Sequence, residues 1–179
     1  NHLKRGNANG YKVNEDDDPL ANAIFGLFAT DTTVFTANTA IKTAVSDETG
    51  YFEFTEIPYG EYVICEIQAP DGYIFSDKQY PVTINEDGDT VEITAENKPI
   101  TVEISKQDIY GDELAGAEMQ LVDENGEVID EWVSDGTNHV ISELPVGKYT
   151  LKEIAAPDGY IIATDISFEV FTDGSARTI

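Results

Sequence analysis

The sequence has very few of the side chains that form disulfides or bind metal ions. Cys65 is its only cysteine, and His2 and His139 are its only histidines. A single cysteine excludes an intramolecular disulfide, and two histidines so far apart do not indicate a zinc site. The acidic run at 16–18 lacks the ligand spacing of a calcium loop. We therefore expect no metal and no other cofactor, and the fold needs a good core or another covalent link.

Positive charge is also scarce, since 10 Lys and Arg stand against 35 Asp and Glu, giving a formal net charge of −25. Such a surface repels phosphate backbones and anionic lipids, so neither nucleic acid nor a membrane surface is an expected partner. There is no apolar run long enough to span a bilayer and no signal peptide. A Ser/His/Asp set and a glycine-rich phosphate loop are missing as well, so we expect no enzyme with turnover.

The strongest positive feature is an internal repeat of three blocks in the same order. Each copy has a Lys, a Leu eight residues later, a Gly-started apolar strand and an Ala-Pro-Asp-Gly-Tyr motif. The blocks are Lys12 to Leu20, Gly60–Ile67 and Ala69–Tyr73 in the first copy, and Lys106 to Leu114, Gly147–Ile154 and Ala156–Tyr160 in the second. Three matched blocks indicate two copies of one module.

Each copy consists of short segments with alternating apolar residues, separated by turns such as Asp47–Gly50 and Glu124–Gly126. Strands at this spacing without helical segments predict an all-β chain of two tandem Ig-like or prealbumin-like β-sandwich modules. We place the first module at 11–98 and the second at 99–179, with its last strand truncated. Residues 1–10 fit no strand well and are expected to be a linker or the end of a preceding domain.

Two glutamates occupy positions that strand alternation turns toward the core. Glu66 shares a face with Tyr62 and Ile64, and Glu153 shares a face with Tyr149 and Leu151. A carboxyl group in an apolar row is costly unless it has a partner. Both glutamates are therefore predicted to have a specific function, whereas Cys65 lies on the opposite face and is expected to have none.

The order Lys-x-Asp, Leu-x-Gly-Ala, Gly-x-Tyr-x-Leu-x-Glu and Ala-Pro-x-Gly-Tyr resembles the Cna-B type, or SpaA-type prealbumin-like, domains of Gram-positive pilins and adhesins. The resemblance covers nearly the whole chain, from about Tyr11 onward. The sequence departs from the family pattern at Asn14, where Asp is usual, and at Asn22, where Gly is usual.

The resemblance implies an autocatalytic isopeptide bond within each module. In the first module Lys12 is the implied nucleophile, Asn97 the acceptor and Glu66 the assisting acid. In the second, Lys106 and Glu153 match the nucleophile and the acid. The matching acceptor would fall at 183, beyond Ile179, so no acceptor is found for the second module. The alternative is that both Lys–Glu pairs are simple salt bridges.

The chemistry requires an uncharged amine, because an ammonium ion has no lone pair. Burial lowers the pKa of a lysine and raises that of a glutamate. We expect a protonated Glu66 to donate a hydrogen bond to the carbonyl oxygen of Asn97, which stabilises the charge that develops there. Glu66 would also transfer a proton to the departing ammonia. The reaction occurs once per molecule.

The predicted function is a structural stalk module of an extracellular, cell wall-anchored adhesin or pilus, with neighbouring modules of the same protein as partners. An anchoring signal is expected outside this sequence, because Leu144–Gly147 only faintly resembles a sortase signal. The alternative is an adhesin module that binds a host matrix protein or glycan, for which Thr30–Thr43 is the candidate loop. Trp132 is expected to be a core residue rather than a carbohydrate platform.

Overall fold

The computed structural model describes residues 2–179, and every regular element in that range is a β-strand. None of these residues forms a helix that could cross a membrane. The strands are β1 Arg5–Val13, β2 Ile24–Ala29, β3 Lys42–Val45, β4 Tyr51–Pro58, β5 Gly60–Gln68, β6 Gln79–Ile84, β7 Thr90–Glu96, β8 Thr101–Ile104, β9 Ala115–Asp123, β10 Val128–Asp135, β11 His139–Ser142, β12 Gly147–Ala155, β13 Ile166–Val170 and β14 Ala176–Thr178.

The chain divides into two compact units. The first unit extends to Pro70 and includes Ile74–Lys98, and the second contains Asp71–Tyr73 and Pro99–Ile179. The boundary between the two units is therefore the Lys98–Pro99 bond. The one exception is Asp71–Tyr73, which precedes this bond but belongs to the second unit.

The expectation that residues 1–10 fit no strand is wrong from Arg5 onward, because β1 begins there. The inward positions of this half of β1 are Gly6, Ala8 and Gly10, all buried. A Cβ atom on Gly10 would lie 2.4 Å from the carbonyl oxygen of Ile93. Since the packing allows only small residues here, the usual alternation of large apolar side chains is missing from the sequence.

In the first unit, a three-stranded sheet in the order β4-β1-β7 faces a four-stranded sheet in the order β3-β2-β5-β6. The core lies between them, where Phe25 of β2 stacks on Phe52 of β4 with ring centroids 4.1 Å apart. Strand β1 pairs antiparallel with β4 and parallel with β7. The first and last strands of the unit are therefore direct neighbours.

The outer face of the four-stranded sheet is also covered. Phe28 is fully buried there, and the ring of Phe35 from the following loop packs edge-on against it, 5.0 Å between centroids. Cys65 is buried as well, and burial raises the pKa of its thiol to about 11. Part of the Thr30–Thr43 segment, which was the candidate binding loop, thus packs on its own sheet.

The second unit repeats this architecture with one difference. Its larger sheet has the order β10-β9-β12-β13-β14, and its smaller sheet consists of β11 and β8. Strand β14 pairs antiparallel with β13, whereas β7 of the first unit pairs parallel with β1. Within residues 2–179, β8 therefore pairs only with β11.

Candidate functional site

Lys12 and Asn97 come together because β1 and β7 are parallel. Lys12 is the register partner of Ala95, and Asn97 follows β7 directly. The backbone N–H of Asn97 donates to the carbonyl of Val13 over 3.1 Å. Lys12 is 1% exposed and Asn97 is 2% exposed. Both side chains are thus held inside the core of the first unit.

Glu66 reaches the same place from β5 in the opposite sheet. Its Oε1 lies 3.3 Å from Nζ of Lys12, and the glutamate is 3% exposed. The other oxygen, Oε2, accepts the backbone N–H of Ser76 at 2.9 Å. The carboxyl group is therefore fixed by the segment that follows β5, with one oxygen directed at the lysine.

The amide of Asn97 approaches Glu66 through its nitrogen. Nδ2 donates to Oε2 of Glu66 over 3.2 Å and to the carbonyl oxygen of Ile74 over 2.7 Å. Its Oδ1 is buried and has no hydrogen-bond partner among residues 2–179. The expectation that Glu66 donates to this carbonyl oxygen is wrong for the observed arrangement, since Glu66 accepts from Nδ2 instead. Two acceptors around Nδ2 favour the amide orientation seen here.

Burial dominates the electrostatics of Lys12. It holds the pKa of the amine below its ordinary value of 10.5, while the charges of Glu66 and Glu96 partly oppose this shift. The ring of Phe25 lies 5.8 Å from Nζ. Desolvation in the core therefore outweighs the attraction of the carboxylates and favours the uncharged form of the Lys12 amine.

The carboxyl group of Glu66 thus bridges the two groups that would react. Oε1 faces the amine that must lose a proton, and Oε2 faces the amide nitrogen that must gain one before it leaves. A single carboxyl group in this position can accept a proton at one oxygen and deliver one from the other. The arrangement is suited to amide exchange between Lys12 and Asn97.

The second unit holds only part of this set. Nζ of Lys106 lies 3.9 Å from Oε1 of Glu153, and their side chains are 21% and 2% exposed. Oε2 of Glu153 accepts the backbone N–H of Ala163, at the position that corresponds to Ser76. Oε1 has no hydrogen-bond partner in the described part of the chain. Within residues 2–179 no asparagine or glutamine side chain hydrogen-bonds to Glu153, in contrast to the first unit.

The other candidate groups do not form a second site of this kind. Among the residues described, no three His, Cys, Asp or Glu side chains are placed to hold a metal ion. Trp132 is half-buried rather than in the core, and its ring stacks on His139 with 4.0 Å between centroids. His139 in turn contacts Asp130 at 2.7 Å. One face of the indole is therefore covered by a neighbour.

The backbone groups that position the site were not predicted from the sequence. The carbonyl of Ile74 and the N–H of Ser76 lie in the segment between β5 and β6, which carries no motif of its own. Only the equal ten-residue spacing from Glu66 to Ser76 and from Glu153 to Ala163 could have pointed to this segment.

Comparison with known proteins gives a family match over both units. The family described as SpaA, prealbumin-like fold domain, matches residues 6–99 and again residues 100–179. The first match starts five residues before the module start predicted from the sequence.

Two curated proteins are similar in sequence. The trypsin-resistant surface T6 protein of Streptococcus pyogenes serotype M6 is 26% identical over 161 residues, which cover 90% of this chain and 26% of that protein. The collagen adhesin of Staphylococcus aureus is 34% identical over 97 residues, covering 51% of this chain and 8% of that protein. The chain thus spans about a quarter, or less, of the length of these two relatives.

A solved structure, the Bacillus anthracis TIE protein, has the same fold over most of the chain. It aligns with a TM-score of 0.57 and 26% sequence identity, covering 96% of this chain and 32% of that one. Similarity at this level supports the assignment of both units to the same β-sandwich class.

Proposed function

Because the chain belongs to the family of SpaA prealbumin-like fold domains, we propose that its two units are structural modules of a pilus or adhesin stalk on a Gram-positive cell surface. The first unit is closed by an isopeptide bond between Nζ of Lys12 and the side-chain carbonyl carbon of Asn97. The observation that carries this proposal is the contact of Glu66 with both groups inside a core where all three are almost fully buried.

The bond forms in one self-processing reaction. Glu66 takes a proton from the ammonium group of Lys12 through Oε1. The neutral amine adds to the side-chain carbon of Asn97, and a new carbon–nitrogen bond forms. Nδ2 receives one proton through Glu66, its bond to that carbon breaks and it leaves as ammonia, while the new amide nitrogen gives its surplus proton to the Glu66 carboxylate. Holding the groups in contact replaces a bimolecular encounter and lowers the barrier by about 7–11 kcal/mol.

The mechanical role follows from which strands are linked. Lys12 lies on β1 and Asn97 directly follows β7, the first and last strands of the unit. Force applied at the two ends of the unit then passes through the covalent bond, and the 84 residues between positions 12 and 97 stay unloaded. Such a unit needs no disulfide, which agrees with a chain that has one cysteine.

Single-molecule pulling tests this role. When both ends are pulled, the wild-type first unit should give no extension from residues 12–97. Asn97→Ala lacks the acceptor carbon and should release those residues, adding about 280–310 Å at 3.3–3.6 Å per residue. Asn125→Ala, in an exposed turn of the second unit, is the matched control and should behave like the wild type. Equal extension of the wild type and Asn97→Ala would refute the load-bearing role.

The surface location is part of the proposal and is supported by the streptococcal surface protein among the relatives. The similarity to a collagen adhesin gives a second candidate function, binding to a host matrix protein. Titration of the immobilised chain with collagen tests it, using fibronectin and a glycan panel as comparators. Saturable binding to collagen alone would favour an adhesin role. The absence of binding to collagen would favour the stalk role.

A further inference from the structure

Two tyrosines lie side by side on the outer face of the three-stranded sheet of the first unit. Tyr11 of β1 and Tyr51 of β4 are register partners, and their ring centroids are 5.5 Å apart with an angle of 58° between the ring planes. Tyr11 is 51% exposed, whereas Lys12, the next residue, faces the core from the opposite side of β1. The tyrosine pair therefore lies outside the site of the proposed bond.

Comparison of the two copies shows that the sandwich does not require an aromatic residue here. The residue directly before the lysine is Tyr11 in the first copy and Ser105 in the second, and both are exposed. The lysine that follows contacts a buried glutamate in each unit. Tyrosine is common at binding surfaces, because its ring gives apolar contact and its hydroxyl gives hydrogen bonds. The exposed pair is thus a feature of the first unit that folding leaves unexplained.

A groove of about 370 Å³ lies beside the tyrosine rings. Its side-chain lining comes from three neighbouring strands, with Tyr51 on β4, Asn9 and Tyr11 on β1, and Glu92 and Thr94 on β7. The carboxylate, the amide and the hydroxyl among them all offer oxygen atoms that accept hydrogen bonds. Among residues 2–179, no Lys, Arg or His lines this groove. The lining therefore suits a ligand that donates hydrogen bonds.

The charges around the groove are all negative. Asn9 is the register partner of Glu53 on one side and of Glu92 on the other, and both glutamates are exposed. Within the described residues, neither glutamate forms an ion pair with a Lys, Arg or His. The hydroxyl of Tyr51 donates to Oε2 of Glu53 over 2.9 Å, which holds the ring in place. Two carboxylates without a counter-charge beside two aromatic rings complement a cationic group.

We propose that this groove binds an arginine side chain of another polypeptide. The guanidinium group stacks on Tyr11, and its N–H groups donate to the carboxylate of Glu92 and to the side-chain oxygen of Asn9. Arginine fits better than lysine, because its planar group can stack on an aromatic ring and pair with a carboxylate through two parallel N–H bonds. The binding is non-covalent and does not depend on the bond proposed between Lys12 and Asn97.

The test is a titration of the full ¹⁵N-labelled chain with the peptide acetyl-Gly-Arg-Gly-Arg-Gly-amide, followed by two-dimensional NMR. The peptide is added to about 5 mM, since an exposed cation–π contact is weak. Salt at about 0.15 M screens long-range attraction beyond about 8 Å. We expect saturable shifts of the backbone amides of Tyr11, Tyr51 and Glu92. A peptide with citrulline in place of arginine keeps the shape and lacks the charge, and it should bind at least about 10-fold more weakly.

Substitutions on the exposed face test the assignment of the site. Tyr11→Ser introduces the residue of the second copy at this position and should weaken binding about 3- to 10-fold, because the stacking surface is lost. Glu92→Gln should weaken it by a similar factor, since the amide cannot form the charged pair. Glu127→Gln, in an exposed turn of the second unit, makes the same change in net charge and should bind like the wild type.

Several outcomes would overturn this inference. Equal affinity of Tyr11→Ser and the wild type would remove the tyrosine from the site. Shifts spread over the acidic residues of both units would show general attraction to a negative surface rather than a site. Tighter binding of a neutral oligosaccharide such as maltohexaose at the same residues would identify a carbohydrate site instead. Intact mass of the same sample reports separately on the Lys12–Asn97 bond, so failure of one proposal leaves the other in place.

Discussion

Glu66 bridges Lys12 and Asn97 through different oxygens, with Oε1 3.3 Å from Nζ of Lys12 and Oε2 accepting a hydrogen bond from Nδ2 of Asn97 at 3.2 Å. The lysine and the asparagine come from one sheet and the glutamate from the other. Correct packing of the two sheets is thus a condition for the reaction, so bond formation should report on complete folding of the first unit.

Glu66→Gln should stop or strongly slow formation of the bond. Glutamine keeps the size of the side chain but cannot accept the lysine proton, so we expect a rate at least about 100-fold lower. The rate is measured from the mass of newly synthesised chain at intervals after cell-free translation, because a bond already formed would survive denaturant. Glu153→Gln is the matched control in the second unit and should leave the rate in the first unit unchanged. Equal rates for Glu66→Gln and the wild type would remove Glu66 from the mechanism.

Asn97→Ala should lower the free energy of unfolding of the first unit. Closing the loop between positions 12 and 97 removes denatured-state entropy worth about 4–5 kcal/mol by analogy with a disulfide. Denaturant titration monitored by tyrosine fluorescence measures the difference, with Asn125→Ala as the control for loss of an amide elsewhere. An unchanged unfolding midpoint would mean that the wild type carries no such link.

Part of this site could be predicted from the sequence, and the reasons differ from residue to residue. The repeat aligns Lys12 and Glu66 with Lys106 and Glu153, and alternation turns Glu66 inward, whereas Asn97 was implied by the family resemblance alone. The direction of the Asn97 amide could not be predicted, since it depends on the carbonyl of Ile74 in a segment without a motif.

The same contrast holds for the fold. Alternating apolar residues predicted the sandwich class, which the family match confirms. They could not locate the start of β1, where small residues pack closely against β7, nor the pairing of β14. Pairing depends on which sheet edge is available, and Ala176–Thr178 carries no apolar alternation that would choose between β8 and β13.

The Asn97→Ala variant should become more stable as the pH rises toward 10.5. In this variant Lys12 remains a free amine, and burial holds its pKa in the folded state below the ordinary value of 10.5. At pH values between the lowered pKa of Lys12 in the folded state and 10.5, the unfolded chain binds more protons than the folded one. The free energy of unfolding therefore rises with pH there, by up to about 1.4 kcal/mol per pH unit.

The control for this pH dependence is the double variant Asn97→Ala, Lys12→Met, which lacks the amine. Tyr80, whose pKa is raised by its burial and by nearby carboxylates, is present in both proteins. The quantity to measure is the difference in the free energy of unfolding between the two variants from neutral pH to 10.5. A difference that stays constant or falls with increasing pH would contradict the lowered pKa of Lys12.

Gly10→Ala should destabilise the first unit and slow formation of the bond. Its Cβ would lie 2.4 Å from the carbonyl oxygen of Ile93, so β1 and β7 would have to move apart. Overpacking of this kind costs about 1–3 kcal/mol. Thr94→Ala, at an exposed position of β7, is the control for a changed side chain in the same pair of strands. Both rates come from the mass of newly synthesised chain, and equal rates for the two variants would contradict the predicted coupling.

The central claim is that Lys12 and Asn97 are covalently joined, and intact mass of the denatured chain tests it most directly. The account predicts a mass about 17 Da below the value calculated from the sequence, since one ammonia is lost when the amine is acylated. Asn97→Ala should show the calculated mass, and digestion of the wild type should yield one branched peptide containing both residues. A wild-type chain at its full calculated mass would contradict the account.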